Sequence, residues 1–419
     1  MLKFVFKSCA LKSLALRSLA FKPLALVFKS LTLQFLAVFI GLLLLWPQSL
    51  LAAPLASGTT VQWSMPAAPN PEAQDADFAR AFGPQDWQFP QDFGPHPQYQ
   101  TEWWYYTGNL STPENRPFGF QLTFFRQALT PVTALSPEAS PWRTPQLYSA
   151  HFTVSDIEAD RFYQFERFSR GAVGLAGAQS DPYGVWLQDW HIVQTADGLQ
   201  LTAQAPGVAL TLGLHDTPPV LQGDRGFSAK ADSPGNASQY YSQVQQPSQG
   251  RLTLGGTVYR VTGQTWMDHE FATQPLSAET QGWDWFSVEL DDGGALMLCE
   301  IRRQDGSREP LSYGLYRSAT GVTQSLSGSD FSITVQDHWT SPQSGVTYPD
   351  RWSLTVPSLA LSLKAVPQMA NQELLTATAV YWEGAVQYRG TQGDRDLQGQ
   401  GYVELTGYAD PMTRLLASP

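Results

Sequence analysis

From residue 100 onward, hydrophobic and polar positions alternate in short runs, the period-two signature of strands with one buried face. Phe118, Phe120, Leu122 and Phe124 share one side of such a run, as do Val208, Leu210, Leu212 and Leu214. Trp186, Trp190 and Ile192 fall on one face with Gln188, across a run that also carries Asp189 and His191. The second half repeats the habit at 285–290, 295–302, 331–335, 359–365 and 402–406. No long helical period interrupts it. Turn signals such as Asp291-Asp292-Gly293-Gly294 and Gln304-Asp305-Gly306 join neighbouring runs as hairpins. Polar stretches at about 131–146 and 222–250 predict long loops across a barrel mouth. Two such segments of roughly 150–180 residues predict an all-β fold of two antiparallel β-barrels in tandem. The first is expected over 91–262 and the second over 263–415. A barrel of about eight strands has an interior that holds one small ligand, so the ligand space is expected inside a barrel.

The N-terminal 53 residues break the pattern. Six basic residues and no acid occupy them, with an apolar run at 35–46 and small residues at Ala52 and Ala53. This predicts an export signal and a periplasmic or extracellular protein. The apolar stretch approaches the ~20 residues that span a bilayer, so an uncleaved N-terminal anchor and association with a membrane surface remain the alternative. Residues 54–90, rich in Pro, Ala, Gln and Asp, read as a linker and lead-in segment. Removing the leader leaves 20 Lys and Arg against 37 Asp and Glu. Such an acidic body repels phosphate backbones, which argues against a nucleic-acid partner. Cys9 lies in the leader, and Cys299 stands alone among apolar neighbours, so no disulfide framework or thiolate metal site can form.

Three stretches carry candidate chemistry. The first is Trp266-Met267-Asp268-His269-Glu270-Phe271. A carboxyl beside indole loses hydration, which raises its pKa and suits it to donate a proton near neutral pH. As a strand, the stretch puts Trp266, Asp268 and Glu270 on one face and Met267, His269 and Phe271 on the other. Asp268 is then the candidate acid and His269 a supporting or core residue. A carboxylate that ties down backbone amides is the plain structural alternative. The second stretch is Glu102-Trp103-Trp104-Tyr105-Tyr106, with Glu102, Trp104 and Tyr106 on one side. Four consecutive aromatics exceed what one buried face takes, so both faces are covered or line a cavity. The third joins Tyr381-Trp382-Glu383 to Tyr402-Val403-Glu404 and reads as packing of a closing strand pair. Thr273 stands where a His-Glu-x-x-His helix needs its second histidine, and the remaining histidines are scattered. P-loop, dinucleotide and Gly-x-Ser-x-Gly motifs are absent from the sequence.

His96-Pro97, Glu102-Trp103-Trp104-Tyr105-x-Thr107-Gly108, Trp266-Met267-Asp268-His269-Glu270, Tyr381-Trp382-Glu383-Gly384-Ala385-Val386 and Glu404-Leu405-Thr406-Gly407-Tyr408 occur in this order. In this the chain resembles the carotenoid hydratase / AttH-like family of secreted tandem lipocalin-like proteins, often labelled predicted secreted hydrolases. The resemblance spans about residues 90–412 and implies two lipocalin-like barrels. It also implies a long apolar ligand such as an isoprenoid, carotenoid or lipid. The hydratase acid maps to Asp268. Trp266 stands where hydratases have tyrosine, and the region of Gln239-Tyr240-Tyr241 lacks their histidine and tryptophan. Hydration needs no cofactor and no metal: Asp268 protonates an alkene and Glu270 or Glu102 orients the water. Trp103, Trp104, Tyr106, Tyr240, Tyr241, Trp266 and His269 are the candidate ligand contacts. A non-catalytic lipid or pigment carrier and a hydrolase of unknown substrate stay open beside this reading.

Overall fold

The structure, a computed structural model, describes residues 78–412 apart from 132–139, 141 and 378. The leader at 1–53, the linker up to 77 and most of the 131–146 loop lie outside the described residues. The predicted alternating runs within them lie largely in strands, but the one expected through Trp186, Gln188, Trp190 and Ile192 is two strands, because the chain turns at Gln188 (φ 59°) and Leu187 pairs with Trp190. The first sheet comprises β1 (Thr101–Ser111), β2 (Pro117–Ala128), β3 (Gln146–Asp156), β4 (Arg161–Arg170), β5 (Ala176–Ser180), β6 (Tyr183–Leu187) and β7 (Trp190–Thr195). It continues through β8 (Gly198–Ala205), β9 (Val208–Leu214), β10 (Val220–Leu221), β11 (Phe227–Ala229), β12 (Ala237–Leu254) and β13 (Thr257–Ala272). The main path runs β4-β3-β2-β1-β13-β12-β9-β8-β7-β6-β5, antiparallel throughout. Arg167 on edge strand β4 reaches across to the Asp189 carboxylate and donates to the Gln204 carbonyl at 2.9 Å, while its guanidinium lies over Trp190. The sheet therefore curls into a nearly closed barrel.

The second sheet comprises β14 (Thr280–Leu290), β15 (Ala295–Arg303), β16 (Tyr313–Arg317), β17 (Thr323–Ser327) and β18 (Ser332–Thr340). It ends with β19 (Thr347–Val356), β20 (Leu361–Pro367), β21 (Glu373–Leu375), β22 (Val380–Gln392) and β23 (Arg395–Leu405). Its order is β17-β16-β15-β14-β23-β22-β20-β19-β18, a half-barrel. All of β13 pairs within the first sheet, so the passage between sheets falls between Ala272 and Thr280. The boundary expected at 262/263 cuts this strand in two, because its composition shift marks where β13 becomes buried on both faces and not where the sheet ends. Two more expectations change. Of the loop expected at 222–250, residues 227–229 form β11 and residues from 237 onward belong to β12, with 230–236 left as the turn between them. Residues 78–90 are packed: Trp87 and Phe89 lie edge-on to Tyr241 at 5.5 and 5.1 Å and cover one end of the barrel.

Each sheet has two occupied faces. Trp104, Tyr106, Phe120, Phe124, Phe152 and Trp190 fill the interior of the first barrel. Phe286, Val288, Trp352, Leu363 and Val403 fill the hollow of the second. The other faces meet back to back through Tyr105, Trp266, Trp285, Met297, Ala385 and Tyr402. Gly119 permits the approach, since a Cβ there would stand 2.6 Å from the Tyr402 hydroxyl and 2.8 Å from the Ala385 Cβ. Side-chain packing thus uses up the barrel interiors, and the expected ligand space moves to the seam between sheets.

Candidate functional site

Residues directly opposite in antiparallel strands share a face, so register alone assembles this site. Ser242 (β12), Asp268 (β13), Tyr105 (β1), Thr123 (β2), His151 (β3) and Glu166 (β4) form one row across the first sheet. The next row is Tyr240, Glu270, Trp103, Phe125, Ser149 and Phe168. Facing them on the second sheet run Tyr313, Cys299, Trp285, Glu404 and Glu383 on β16, β15, β14, β23 and β22. Between the sheets lies a cavity of about 580 Å³ lined from all three rows. Leu129, Leu147, Phe168, Pro275, Leu276 and Met412 make part of its wall apolar, and Leu129 and Phe168 are solvent-exposed.

Asp268 is buried at 4% exposure and belongs to the cavity wall. Its Oδ1 accepts from Ser242 Oγ at 2.5 Å and Trp266 Nε1 at 2.8 Å; its Oδ2 pairs with the Tyr240 hydroxyl at 2.6 Å. Burial pushes the carboxyl up to about 7, against the pull of these hydrogen bonds and with a further push from Glu270. Near neutrality both its charged and its neutral form are populated, and the Tyr240 hydroxyl donates to Oδ2 of the charged form. Trp285 Nε1 stands 3.3 Å from the same phenol oxygen. Across the cavity, Glu404 is likewise lifted to about 7 by burial, opposed by Trp283 Nε1 at 2.7 Å and aided by Asp268 and Glu270. Glu383 behind it lies well above the usual carboxylate range, because burial and then Glu404 disfavour its charge. It accepts from Gln121 Nε2 at 2.6 Å.

Glu270 lines the cavity as expected, yet Lys230 Nζ sits 2.8 Å from its Oε1 and Ser238 donates to the same oxygen. The ammonium and the hydroxyl already occupy that oxygen, which leaves it poorly placed to orient a water. Glu102 departs furthest from expectation. Strand alternation turns its carboxylate away from Asp268, where Arg126 Nε donates at 2.8 Å, His269 Nε2 lies at 2.8 Å and the His96 amide and Nδ1 at 3.0 Å. Burial would raise its pKa, but the Arg126 charge and the histidine hydrogen bonds hold it far below the usual range. His96, Glu102 and His269 bring ligating atoms within 4.8 Å of one another, a grouping that their spacing in sequence conceals. The carboxylate is already taken up by Arg126 and the His96 amide, so the donor set suits a hydrogen-bonded hub better than a metal.

Of the expected ligand contacts, Trp103 and Tyr240 line the cavity. Trp266 stands beside it, bonded to Asp268 and edge-on to Trp285 with ring centroids 6.0 Å apart. Trp104, Tyr106, Tyr241 and His269 point instead into the first barrel, where His269 lies against Trp104 and bonds the Tyr241 hydroxyl at 3.0 Å. The sequence reading missed Tyr105, His151, Lys230, Trp283, Trp285 and Tyr313, and took Tyr381 and Glu404 for packing. An acid two residues from aromatics in the third motif was the signal. Its partner sheet was not legible.

The sequence model of the AttH-like family matches residues 80–408. The crystal structure of a candidate AttH from Nitrosomonas europaea is 34% identical, covers 79% of this chain and 100% of its own, and superposes with a TM-score of 0.71. Kievitone hydratase from Nectria haematococca shares 15% identity over 80% of this chain and 97% of its own, with a TM-score of 0.59; that likeness is one of fold. A comparison with curated protein sequences finds no match.

Proposed function

The chain belongs to the AttH-like family, and from that premise we propose that its inter-sheet cavity takes up an apolar small molecule and hydrates or isomerises it by acid catalysis at Asp268. The observation that carries this is a buried acid, neutral up to about pH 7, on the wall of an aromatic-lined cavity. Pockets of ~300–1,000 Å³ enclose drug-sized ligands, so about 580 Å³ suits a short isoprenoid or the end of a longer carotenoid or lipid chain. Asp268 transfers its proton to one alkene carbon, and the cation forms on the next. Trp103, Tyr105 and Trp285 supply aromatic faces, each worth ~2 kcal/mol or more toward a desolvated cation. Water adds to the cation, and its surplus proton returns to the Asp268 carboxylate directly or through Tyr240. A hydratase among the structural neighbours makes water addition the first reaction to test.

Incubating the purified protein with acyclic isoprenoid alkenes should give an alcohol one water heavier, and Asp268→Asn should bind the alkene yet lose at least about 100-fold in turnover. Turnover by Asp268→Asn at the wild-type rate removes Asp268 from the acid role. The carrier reading draws on the three hydrogen bonds already made to Asp268. It expects ligand retained through purification, extractable by organic solvent and unchanged on incubation. Hydrolysis draws less support, since His151 bonds Tyr381 at 2.7 Å and Glu166 at 3.3 Å and not a serine. Export, with an N-terminal signal or anchor near a membrane surface, completes the proposal on the strength of the basic and apolar leader.

A further inference from the structure

We infer that the cavity prefers a lipophilic cation, an amphiphilic amine, with Glu404 as its counter-ion. The inference rests on the reading that an apolar molecule occupies this cavity, and it adds the charge of that molecule. The charged groups of the site do not cancel. Glu102 is matched by Arg126 and Glu270 by Lys230. Glu404 has no ion pair among the described residues, and its one hydrogen bond comes from Trp283. The surface it retains belongs to the cavity wall. Asp268, the other unmatched acid, is already enclosed by Tyr240, Ser242 and Trp266.

The lining of the cavity points the same way. Trp103, Tyr105, Trp283 and Trp285 border it together with Glu404, and aromatic rings attract a desolvated cation. The Tyr105 hydroxyl is bonded to the Glu383 carboxyl, so that pair makes no demand on a ligand. A carboxylate ligand would meet four acids, and an alcohol would leave the unmatched charge of Glu404 without a counter-ion.

Binding is then proton-coupled: an alkylammonium meets protonated Glu404, forms an ion pair with its carboxylate and releases one proton to solvent. The titratable groups that share this cavity with Glu404 or pack behind it are Asp268 and Glu270 on β13, Glu383 and Tyr381 on β22, Tyr105 on β1, Cys299 on β15, Tyr240 on β12, Tyr313 on β16 and His151 on β3, the last bonded to Tyr381 and Glu166. The two fixed cations, Lys230 and Arg126, are already held to Glu270 and Glu102, so the unpaired charge of the cavity is negative.

The test is titration calorimetry and tryptophan quenching with decylamine, decyltrimethylammonium, decanol and decanoate on the wild type and Glu404→Gln. Both cations should bind the wild type at least about 10-fold more tightly than decanol at pH 7.5, with decanoate weakest. Cation affinity should rise from pH 6 to pH 8, with proton release at pH 6 measured in buffers of different ionisation enthalpy. Glu404→Gln should keep decanol binding, which shows an intact cavity, and lose the preference for cations. Decanol binding the wild type as tightly as the cations, or Glu404→Gln keeping the preference, overturns the inference while leaving an apolar ligand site. If none of the four binds, the apolar-cavity reading falls with it.

Discussion

Asp268 and Glu102 stand on adjacent strands and meet opposite fates. Asp268 faces the cavity and is held near pH 7 by burial. Glu102 turns to the other face, where Arg126, itself 2% exposed, fixes its charge. Removing one partner of a buried pair leaves the other uncompensated, a cost of about 3–5 kcal/mol. Glu102→Gln is therefore expected to lose that much in urea unfolding at pH 7; a loss below ~1 kcal/mol shows the pair to be unimportant. Because the folded pKa of Glu102 is depressed, its contribution is complete above the ordinary carboxylate range and fades as the pH falls through and below it. The burial of Asp268 beside an indole was legible in the sequence, although the Trp266 N–H donates to it and so opposes the rise that burial produces. The role of Glu102 was not. Parity within a strand can be read, but relating the faces of two strands needs their register.

At the scale of elements, the same limit explains β12. Its Ser-Gln-Val-Gln-Gln-Pro-Ser-Gln stretch is polar and breaks at a bulge between Gln243 and Gln246, so alternation fails and a loop is the natural reading. The strand persists because its neighbours supply partners. Gln245 adopts φ 54°, and its amide donates to Glu289 Oε1 on β14 at 3.0 Å. Glu289 is pushed up to about 8 by burial, with the Gln245 amide pulling the other way. A carboxyl whose folded pKa exceeds its unfolded value holds a proton the unfolded chain has lost, so stability falls as the pH rises from about 4.5 to about 8. Glu289→Gln keeps the amide's acceptor and removes the titration. It should match the wild type at pH 5 and exceed it by at least ~1.4 kcal/mol at pH 9, the equivalent of a tenfold difference in proton affinity between folded and unfolded chains, in denaturant melts at both values. Equal pH slopes for the two proteins reject Glu289 as the titrating group at the bulge.

At the scale of the whole molecule, two sheets with filled interiors leave the shared seam as both the proposed binding site and the main contact between halves. Hydrogen bonds cross it from Asn109 Nδ2 to the Gly401 carbonyl at 3.1 Å, from Ser155 to Gln372 at 2.7 Å and between His151 and Tyr381 at 2.7 Å. Burying one large apolar side chain is worth about 1.5–3 kcal/mol. Tyr105, Trp266, Trp285, Met297 and Tyr402 together then place on the order of 10 kcal/mol in the seam. That equals the entire net stability of a typical domain, so neither sheet survives exposure of its outer face once the other melts. Alternation revealed two sheets and not this mutual dependence, because seam residues such as Tyr105 and Trp285 pattern like any buried strand position. Scanning calorimetry should accordingly show one transition, with calorimetric and van't Hoff enthalpies that agree. Asn109→Ala should lower its midpoint without splitting it. Two resolved peaks in the wild type would mean that each sheet stands alone, and the cavity would then be a cleft between independent domains, free to open and too wet to keep Asp268 protonated near neutral pH.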